Sequence, residues 1–393
     1  DTDPEFLTHN GIGRAQLEAV EDRFFIGADS TARLTGDSSS SASVDAVNYN
    51  SENGQQVFTF GLTPEYRHHI NQYADFVSRN RFDWVTYSGN NSGNDDSRSQ
   101  TFNAQIRNGR YFSFWNWSLD ATQRKTFFDS DQDNETRTQY TANLGYRLSP
   151  RWAVRGGLGY EDNDINSDRS NTNDVIWDVG GDWTPNARTS VSADYGQRYF
   201  GDYFSGRVSH QTRRTRLAFD FSRDVESRRN QQLVDSFFFL ADSSGNPVVD
   251  ASGNPIIVSV PELEDTDEDF INTQMRGIVT VTGRRTTVTV TGRVSNQNYE
   301  QSSRDEDRYA LTLGVTRDLG SNFSASLTGH AEQVDSNTDS DNETYDARFS
   351  LRKALSPRSS TALTLGYRDY NDDDSSENYT EKRIGISFTT TYL

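Results

Sequence analysis

Apolar and polar residues alternate along most of the chain, in stretches of about 10 to 15 residues that turn-forming or acidic segments separate. After Tyr309, for example, Leu311, Leu313 and Val315 share one side, and small or polar residues occupy the positions between them. A period of two residues is that of a β-strand with two different faces. The pattern predicts about 18 strands. They begin near Phe24, Phe58, Ala74, Phe102, Tyr111, Tyr140, Trp152, Val175, Val191, Phe204, Leu217, Met275, Val288, Tyr309, Phe323, Tyr345, Leu363 and Ile384.

Two kinds of connection alternate between these strands. Tight turns such as Leu148-Ser149-Pro150 and Leu355-Ser356-Pro357 alternate with longer acidic segments such as 162–173 and 335–343. Short turns at one end of the strands and long loops at the other are typical of outer-membrane barrels. The sequence therefore predicts an all-β fold, a transmembrane antiparallel up-and-down β-barrel with short periplasmic turns and long acidic extracellular loops. An even strand number, with both termini on the periplasmic side, is expected.

Aromatic residues recur near both ends of the predicted strands, in phase with the apolar side of each strand. Such positions predict the two aromatic girdles of a membrane barrel. A soluble β-sandwich or β-solenoid with these aromatics in its core is the alternative. The girdle is predicted to contain Tyr66, Tyr146, Trp152 and Trp183 on the short-turn side, and Tyr160, Tyr309 and Tyr367 on the long-loop side.

The composition fits a barrel better than a globular or a disordered chain. Only 32% of the 393 residues are hydrophobic and the mean hydropathy is -0.84, so a soluble core of ordinary size would be hard to fill. Disorder is disfavoured because the chain has 23 Phe, 18 Tyr and 6 Trp. A barrel with a hydrated lumen resolves the difficulty, since one face of every strand is polar.

Charge and residue types exclude several functions. A net charge of -19 argues against a nucleic-acid partner, and the absence of cysteine excludes disulfides, thiolate catalysis and Cys-ligated zinc. The five histidines show no metal-ligand spacing, and no nucleophile motif accompanies them. We therefore expect no enzymatic activity, no metal site and no cofactor.

The polar side of the predicted strands carries both arginine and aspartate and is expected to line the lumen. Opposed charges would create a transverse field that orients polar solutes, whereas pairing between neighbouring strands would only fill a closed barrel. Both interpretations remain open at this point. The predicted lumen-lining residues are Arg79, Arg81, Arg155, Arg216, Arg276, Arg293, Arg348, Arg368, Asp75, Asp83, Asp178, Asp194 and Asp220.

Two segments fall outside the regular pattern. Residues 1–21 lack alternation and are expected to form a periplasmic tail or small plug, with the barrel over residues 22–393. The segment 226–269 is the longest connection and is expected to be an extracellular loop or hairpin. Its apolar run, Phe237, Phe238, Phe239 and Leu240, is predicted either to constrict the lumen or to dock a partner, although strands that merely project above the membrane would explain it equally.

Two passages carry a resemblance to a known family. They run from Ala142 to Asp162, with the turn Leu148-Ser149-Pro150 and the motif Gly159-Tyr160, and from Ala354 to Tyr367, with a second Leu-Ser-Pro turn. These passages resemble the outer-membrane β-barrel proteins associated with the PEP-CTERM/exosortase system, over most of the chain. The resemblance implies a role near exopolysaccharide export, by analogy only.

The leading functional hypothesis is an outer-membrane channel of a Gram-negative bacterium that passes a polar solute or polymer. A plugged structural barrel that anchors a surface polymer or partner protein, and a general diffusion porin, are the alternatives. The expected partners are outer-membrane lipid and lipopolysaccharide, with a polysaccharide or a secretion-system component as a further candidate.

Overall fold

A computed structural model places most of the chain in one antiparallel sheet. It describes residues 11–36, 54–88, 96–129, 134–165, 167, 169, 171–227, 238–239, 257–259, 269–338, 340–356, 359–373 and 378–390. Nineteen strands form this sheet, and two short strands form a separate hairpin. Among the described residues, no helix is long and apolar enough to span a membrane.

Each strand of the sheet pairs with the strand before and after it in the chain, which is an up-and-down meander. The predicted all-β, antiparallel fold is confirmed. The strands are β1 (Gly11–Val20), β2 (Phe24–Gly36), β3 (Gly54–Asn71), β4 (Ala74–Ser88), β5 (Ser97–Asn108), β6 (Trp115–Phe128), β7 (Glu135–Ser149), β8 (Trp152–Asp164), β9 (Asp174–Asn186), β10 (Thr189–Arg198), β11 (Gly201–Gln211), β12 (Thr215–Ser227), β13 (Phe238–Phe239), β14 (Ile257–Ser259), β15 (Asp269–Thr282), β16 (Thr286–Tyr299), β17 (Asp305–Asp318), β18 (Phe323–Ser336), β19 (Asn342–Ser356), β20 (Ser359–Asp372) and β21 (Tyr379–Thr390).

Short and long connections alternate as the sequence indicates. The chain reverses over 72–73, 150–151 and 187–188 at one end of the sheet, and β2 and β12 end at the other end. The long-loop end has exceptions, since β10 and β11 are joined by only two residues, Tyr199 and Phe200. Gly201 follows them with φ at 105°, a left-handed conformation that a glycine adopts without strain.

The expectation that residues 1–21 form a tail or plug is wrong for residues 11–20. These residues form β1, which pairs with β2 from Gly11 opposite Ala32 to Val20 opposite Phe24. The sequence conceals this strand because Gly13 and Ala15 stand where larger apolar residues mark the other strands. The described sheet has nineteen strands, one more than the eighteen predicted.

Side chains on the two faces of the sheet differ in character. On β8, Trp152, Val154, Leu158 and Tyr160 point to one face and are 43% to 62% exposed, whereas Arg155 and Glu161 point to the other. The registers carry this alternation from strand to strand, so the first face is apolar across the sheet and the second is polar. We call them the outer and the inner face.

The sheet rolls with its inner face inside. Arg137 on β7 forms an ion pair with Asp269 on β15, although these strands are six positions apart in the sheet. A flat sheet would hold these two strands about 29 Å apart, because adjacent strands are about 4.8 Å apart, so no ion pair could form between them. The inner face therefore encloses a lumen, and the outer face is the face that lipid would cover.

Candidate functional site: the lumen and its mouth

The outer face carries an apolar band between two levels of aromatic residues. On β8, Trp152 stands at the short-turn end and Tyr160 eight residues later, which is about 26 Å of extended strand. Such a band matches the apolar height of an outer-membrane barrel. All predicted girdle residues point outward. Tyr66, Tyr146, Trp152 and Trp183 lie toward the short-turn end, and Tyr160, Tyr309 and Tyr367 lie toward the long-loop end.

The band, its girdles and the alternating connections have one physical explanation. A soluble protein would not leave Trp177 on β9, Leu311 on β17 and Leu365 on β20 between 38% and 55% exposed on one face of the same sheet. Hydrocarbon, by contrast, requires apolar side chains outside and a fully paired backbone. This chain is a transmembrane β-barrel of the outer-membrane type.

All of the predicted lumen-lining residues lie on the inner face. Eight of the thirteen form an ion pair with an opposite charge, so the pairing interpretation applies to much of the wall. They comprise Asp75, Arg79, Arg81 and Asp83 on β4, Arg155 on β8, Asp178 on β9, Asp194 on β10, Arg216 and Asp220 on β12, Arg276 on β15, Arg293 on β16, Arg348 on β19 and Arg368 on β20.

Arg155 is the centre of an acidic stretch of the wall formed by β8, β9 and β10. Its Nε and Nη2 each lie 2.6 Å from an oxygen of Asp194, and its Nη1 is bonded to Asp182. Asp178 lies near the same group on β9. Three carboxylates thus depend on one guanidinium, which leaves this part of the lumen with an excess of negative charge.

Glycines make room for these carboxylates. A Cβ built on Gly180 would collide with Oδ1 of Asp194, and a Cβ built on Gly157 would collide with Oδ1 of Asp178. Both glycines lie on the inner face of their strands. The aspartates therefore lie flat along the wall instead of projecting into the lumen, which widens the passage at this level.

A second charged group lies on β2, β3 and β4. Arg81 Nη1 is 2.9 Å from Asp29 Oδ1, and Arg81 Nε is 2.7 Å from Asp83 Oδ1. Arg79 on the same strand is bonded to Glu65. These groups border an inner cavity of about 990 Å³. It is lined by Arg14, Ala15, Gln16, Gly27, Ala28, Asp29, Arg79, Arg81, Asp83, Thr101, Asn103, Thr122 and Arg124.

Arginine is in excess on the last strands of the sheet. Arg368 on β20 holds Asp346 on β19 through two bonds of 2.7 Å, and Arg383 on β21 is bonded to Glu381. Arg348 and Arg352 on β19 share the inner face with them. In the strand order, β19, β20 and β21 lie seven to ten positions from β9 and β10, which is about half of the described sheet. The inner face thus has an arginine-rich wall well separated from the acidic wall around Arg155.

Between these two walls, the inner face of β11, β12, β15 and β16 carries charges of both signs. Asp220 on β12 accepts from Arg207 at 2.5 Å and from Arg276 at 3.4 Å. Arg276 is directly opposite Arg293 on β16, so two like charges are neighbours there.

Two ion pairs cross the lumen at its long-loop end. Besides the pair between Arg137 and Asp269, Arg169 in the β8–β9 connection lies with its Nε 2.7 Å from Glu300 Oε2 in the β16–β17 connection. Ser167 Oγ also donates to Glu300, at 2.8 Å. Asp269 and Glu300 are both nearly inaccessible to solvent. We call these two pairs the cross-lumen ties, because they join opposite walls of the mouth.

Buried aromatic residues pack beside the ties. Phe270 and Tyr299 contact each other with ring centroids 5.3 Å apart, and Phe200 is covered by the guanidinium of Arg198 at 5.4 Å. Arg198 also bonds Glu161 at 2.9 Å and Asp224 at 2.6 Å, on strands two positions away to either side. The mouth is therefore packed as well as ion-paired, and it narrows the entrance to the lumen.

Burial raises the pKa of two carboxyl groups at this mouth. Tyr140 on β7 is paired with Tyr160 of the girdle, and Glu135 begins β7 five residues further toward the long-loop end, so it lies outside the membrane-spanning part of the strand. Its burial, together with the charge of Asp269, raises the pKa of Glu135 to about 7, although Arg137 and Arg124 oppose the rise. Burial also raises the pKa of Asp269, which faces Arg137, Glu300 and Arg124. The mouth thus contains a carboxylate that titrates near neutral pH.

The predicted constriction segment is described only in part. Phe238 and Phe239 form β13, which pairs with β14, and β14 lies beside β17. The connection between β12 and β15 therefore returns toward the strands that follow it. Phe237 and Leu240 lie outside the described residues, so the choice between constriction and docking stays a prediction.

Sequence reasoning missed the groups that form the mouth. Arg137, Arg169, Asp269 and Glu300 stand at strand ends or in loops, where charge usually signifies a solvated surface. Their pairing joins residues more than 130 positions apart in the chain. Within the described residues, no group of three or more metal-ligating side chains is found.

Comparisons with known proteins find similar solved structures but no family. No family model and no curated protein matches the chain. Among solved structures, the chain is similar to the siderophore receptor PirA from Pseudomonas aeruginosa, with 11% identity, a TM-score of 0.47, and coverage of 97% of this chain and 70% of that one. It is also similar to Acinetobacter baumannii OccAB4, with 11% identity, a TM-score of 0.41 and coverage of 95% and 98%.

A third similar structure is OmpT, an outer membrane protein of Vibrio cholerae, with 9% identity, a TM-score of 0.33 and coverage of 88% of this chain and 99% of that chain. At such TM-scores, these similarities carry no argument about function. The functional conclusions therefore depend on the residues of this chain.

Proposed function

We propose that the chain is an outer-membrane channel that passes a polar, charged solute or polymer. One observation carries this proposal: the inner face has an acidic wall around Arg155 and an arginine-rich wall on β19, β20 and β21, about half of the described sheet apart in the strand order. Charges arranged in this way produce a field across the lumen, which orients hydrated dipolar solutes and disfavours apolar ones. A barrel of this strand number is wide enough for an aqueous path.

The mouth would regulate that path. Both cross-lumen ties lie beyond the girdle on the long-loop side, so they act on entry or exit and leave the middle of the lumen unchanged. Removing them separates opposite walls without altering the wall charges. We therefore assign conduction to the charged walls and gating to the mouth.

A surface polymer is the cargo that we propose in finer detail. The support is the resemblance of the Leu148-Ser149-Pro150 and Leu355-Ser356-Pro357 hairpins to outer-membrane proteins of the PEP-CTERM/exosortase system, which implies exopolysaccharide export by analogy. Lipopolysaccharide around the barrel and a secretion-system component are the partners that this proposal requires.

A plugged barrel that anchors a surface polymer is the second candidate, and the mouth is the observation that favours it. If the ties and the packed aromatic residues never separate, the lumen is closed at one end and the long loops remain the functional surface. The two candidates differ in one measurable property, which is ion current across a bilayer.

Planar-bilayer recording of the purified protein is expected to show an ion current. Arg155→Ala removes the guanidinium that neutralises Asp182 and Asp194, so the ratio of K⁺ to Cl⁻ permeability should rise about threefold or more. Arg216→Ala is the matched control, because it removes an exposed inner-face arginine on β12, away from this group. It should change the ratio far less.

Folding of each variant is checked by its resistance to unfolding on an unheated denaturing gel. A folded protein that stays silent at every voltage, with and without the cross-lumen ties, would contradict the channel and favour the anchoring barrel. A current that Arg155→Ala and Arg216→Ala change equally would leave a channel but reject the acidic wall as its selectivity element.

A further inference from the structure

The short connections in the middle of the sheet are unusually basic. From β5 to β16, the connections at the short-turn end, 109–114, 150–151, 187–188, 212–214 and 283–285, contain no acidic residue. They contain seven arginines, namely Arg110, Arg151, Arg188, Arg213, Arg214, Arg284 and Arg285. In a chain whose net charge is -19, this end is therefore a local region of positive charge.

The long-loop end of the sheet has the opposite charge. Acidic residues stand at the strand ends there and in the connections beside them. They include Asp129, Asp162, Asp164, Asp174, Asp202, Asp305, Asp307, Asp335, Asp341, Glu343, Asp369, Asp372 and Asp373. The lumen therefore joins an acidic mouth to a basic mouth, so a polyanion is attracted at the short-turn end and repelled at the long-loop end.

The protein does not neutralise the arginines at the short-turn end. On the walls of the lumen, Arg155, Arg198 and Arg368 are each bonded to a carboxylate. In the described part of the chain, by contrast, no carboxylate is bonded to the guanidiniums of Arg107 and Arg147 or to those of the seven arginines above. All of these side chains are exposed. Such guanidiniums can each bind a carboxylate through two hydrogen bonds.

Three of these arginines border the inside of the barrel. Arg107 and Arg147 lie on the inner face of β5 and β7, as the registers with β6 and β8 show. Together with Arg151 they line a cavity of about 820 Å³ at the short-turn end of β5 to β9. The side-chain amides of Asn116 and Asn143 line the same cavity, and amides can both donate to and accept from the hydroxyls of a sugar ring.

We propose that the short-turn mouth of the lumen captures a polyanion, a sugar polymer that carries carboxylates. The inference rests on the proposed channel, for which it names the class of cargo and the end at which the cargo enters. Carboxylates spaced along a polymer bind several guanidiniums at once, so capture is strong although each exposed pair contributes little. Phospholipid headgroups would instead contact Arg317 and Lys353, which point outward at the same end.

Binding of a short fluorescent galacturonate oligomer tests this capture site. Fluorescence anisotropy is measured with the full chain in nanodiscs of zwitterionic phospholipid. The unchanged protein should bind the oligomer at low salt and release it as added salt screens the charges. Arg147→Gln combined with Arg151→Gln should weaken binding by about fivefold or more, because two charged contacts are lost. A neutral maltose oligomer of the same length should not compete, and competition by it would overturn the proposal.

Arg317→Gln combined with Lys353→Gln is the matched control, since it removes the same charge from the outward side of the same end. It should leave binding nearly unchanged. Equal weakening by the two folded double variants, or no binding by the unchanged protein, would reject capture inside the mouth. The assay needs no current, so it is separate from the test of the channel. A current without oligomer binding rejects capture alone, whereas binding to a protein that is silent in bilayers supports the capture site and rejects conduction.

Discussion

Leu158→Arg is expected to destabilise the folded protein in a bilayer by about 2–4 kcal/mol, the effect of an arginine on the lipid face of a barrel near the bilayer midplane. Leu158 points outward on β8 midway between Trp152 and Tyr160 and is 62% exposed. In a soluble protein an arginine at so exposed a position would be nearly neutral. Urea titration of the protein refolded into lipid vesicles measures the free energy of unfolding.

Asn143→Arg is the matched control for this prediction. Asn143 lies on the inner face of β7, next to the strand that carries Leu158, and its amide bonds Asp120 at 3.2 Å. An arginine there meets water and an acidic neighbour, so the free energy of unfolding should change by less than about 1 kcal/mol. Equal effects of the two substitutions would contradict the assignment of the outer face to lipid.

Combining Asp269→Asn with Glu300→Gln is expected to raise the conductance by about tenfold. Each substitution removes the carboxylate of one cross-lumen tie. If the two ties together favour the closed mouth by about 1.4 kcal/mol or more, their loss shifts the balance of closed and open mouths by about tenfold. Single-channel recording, which gives open probability and unit conductance separately, measures this effect.

Asp224→Asn is the control, because Asp224 is also an acid at the mouth but pairs with Arg198 two strands away on the same wall. Its loss should leave the open probability nearly unchanged. A double variant that conducts like the unchanged protein would contradict gating by the ties and would assign closure to the packed aromatic residues instead.

The same mouth should respond to pH. Because the pKa of Glu135 is raised to about 7 in the closed mouth, the protonated form stabilises that arrangement, and the stabilisation is lost as pH rises through 7. The open probability should therefore increase as pH rises from about 4.5, the ordinary pKa of a glutamate, to about 7, and should change little above that. Glu135→Gln keeps the group neutral and should abolish the increase. A pH response that survives Glu135→Gln would assign the titration to another group.

Much of the fold could be predicted from the sequence because the strands have two unlike faces. Each predicted strand corresponds to one strand of the sheet, and only β1 was missed, since glycine and alanine at its outward positions weaken the alternation. The start predicted at Tyr111 is wrong. That residue lies in the connection before β6, where its ring packs against Tyr73 at 4.8 Å, so aromatic character alone misplaced the strand.

The residues of the inner face could be predicted one by one from the sequence, but the ion pairs between them could not. Alternation places Arg155 inside the barrel, yet its bonds to Asp182 and Asp194 depend on the register of two further strands. The tie between Arg137 and Asp269 depends in addition on how the whole sheet rolls. Neither the register nor the roll is encoded in any short segment, so the mouth could be found only from the structure.

The central claim is that the apolar face of the sheet contacts lipid, and tryptophan fluorescence tests it most directly. All six tryptophans, Trp84, Trp115, Trp117, Trp152, Trp177 and Trp183, point to the outer face. In vesicles of lipids brominated in the acyl chain, the emission of these tryptophans should be strongly quenched. Trp177 should be quenched best by bromine placed deep in the bilayer, and Trp152 and Trp183, at the short-turn end, by bromine placed closer to the headgroups. Emission that brominated lipids leave unchanged, while a water-soluble quencher reaches every tryptophan, would contradict the barrel.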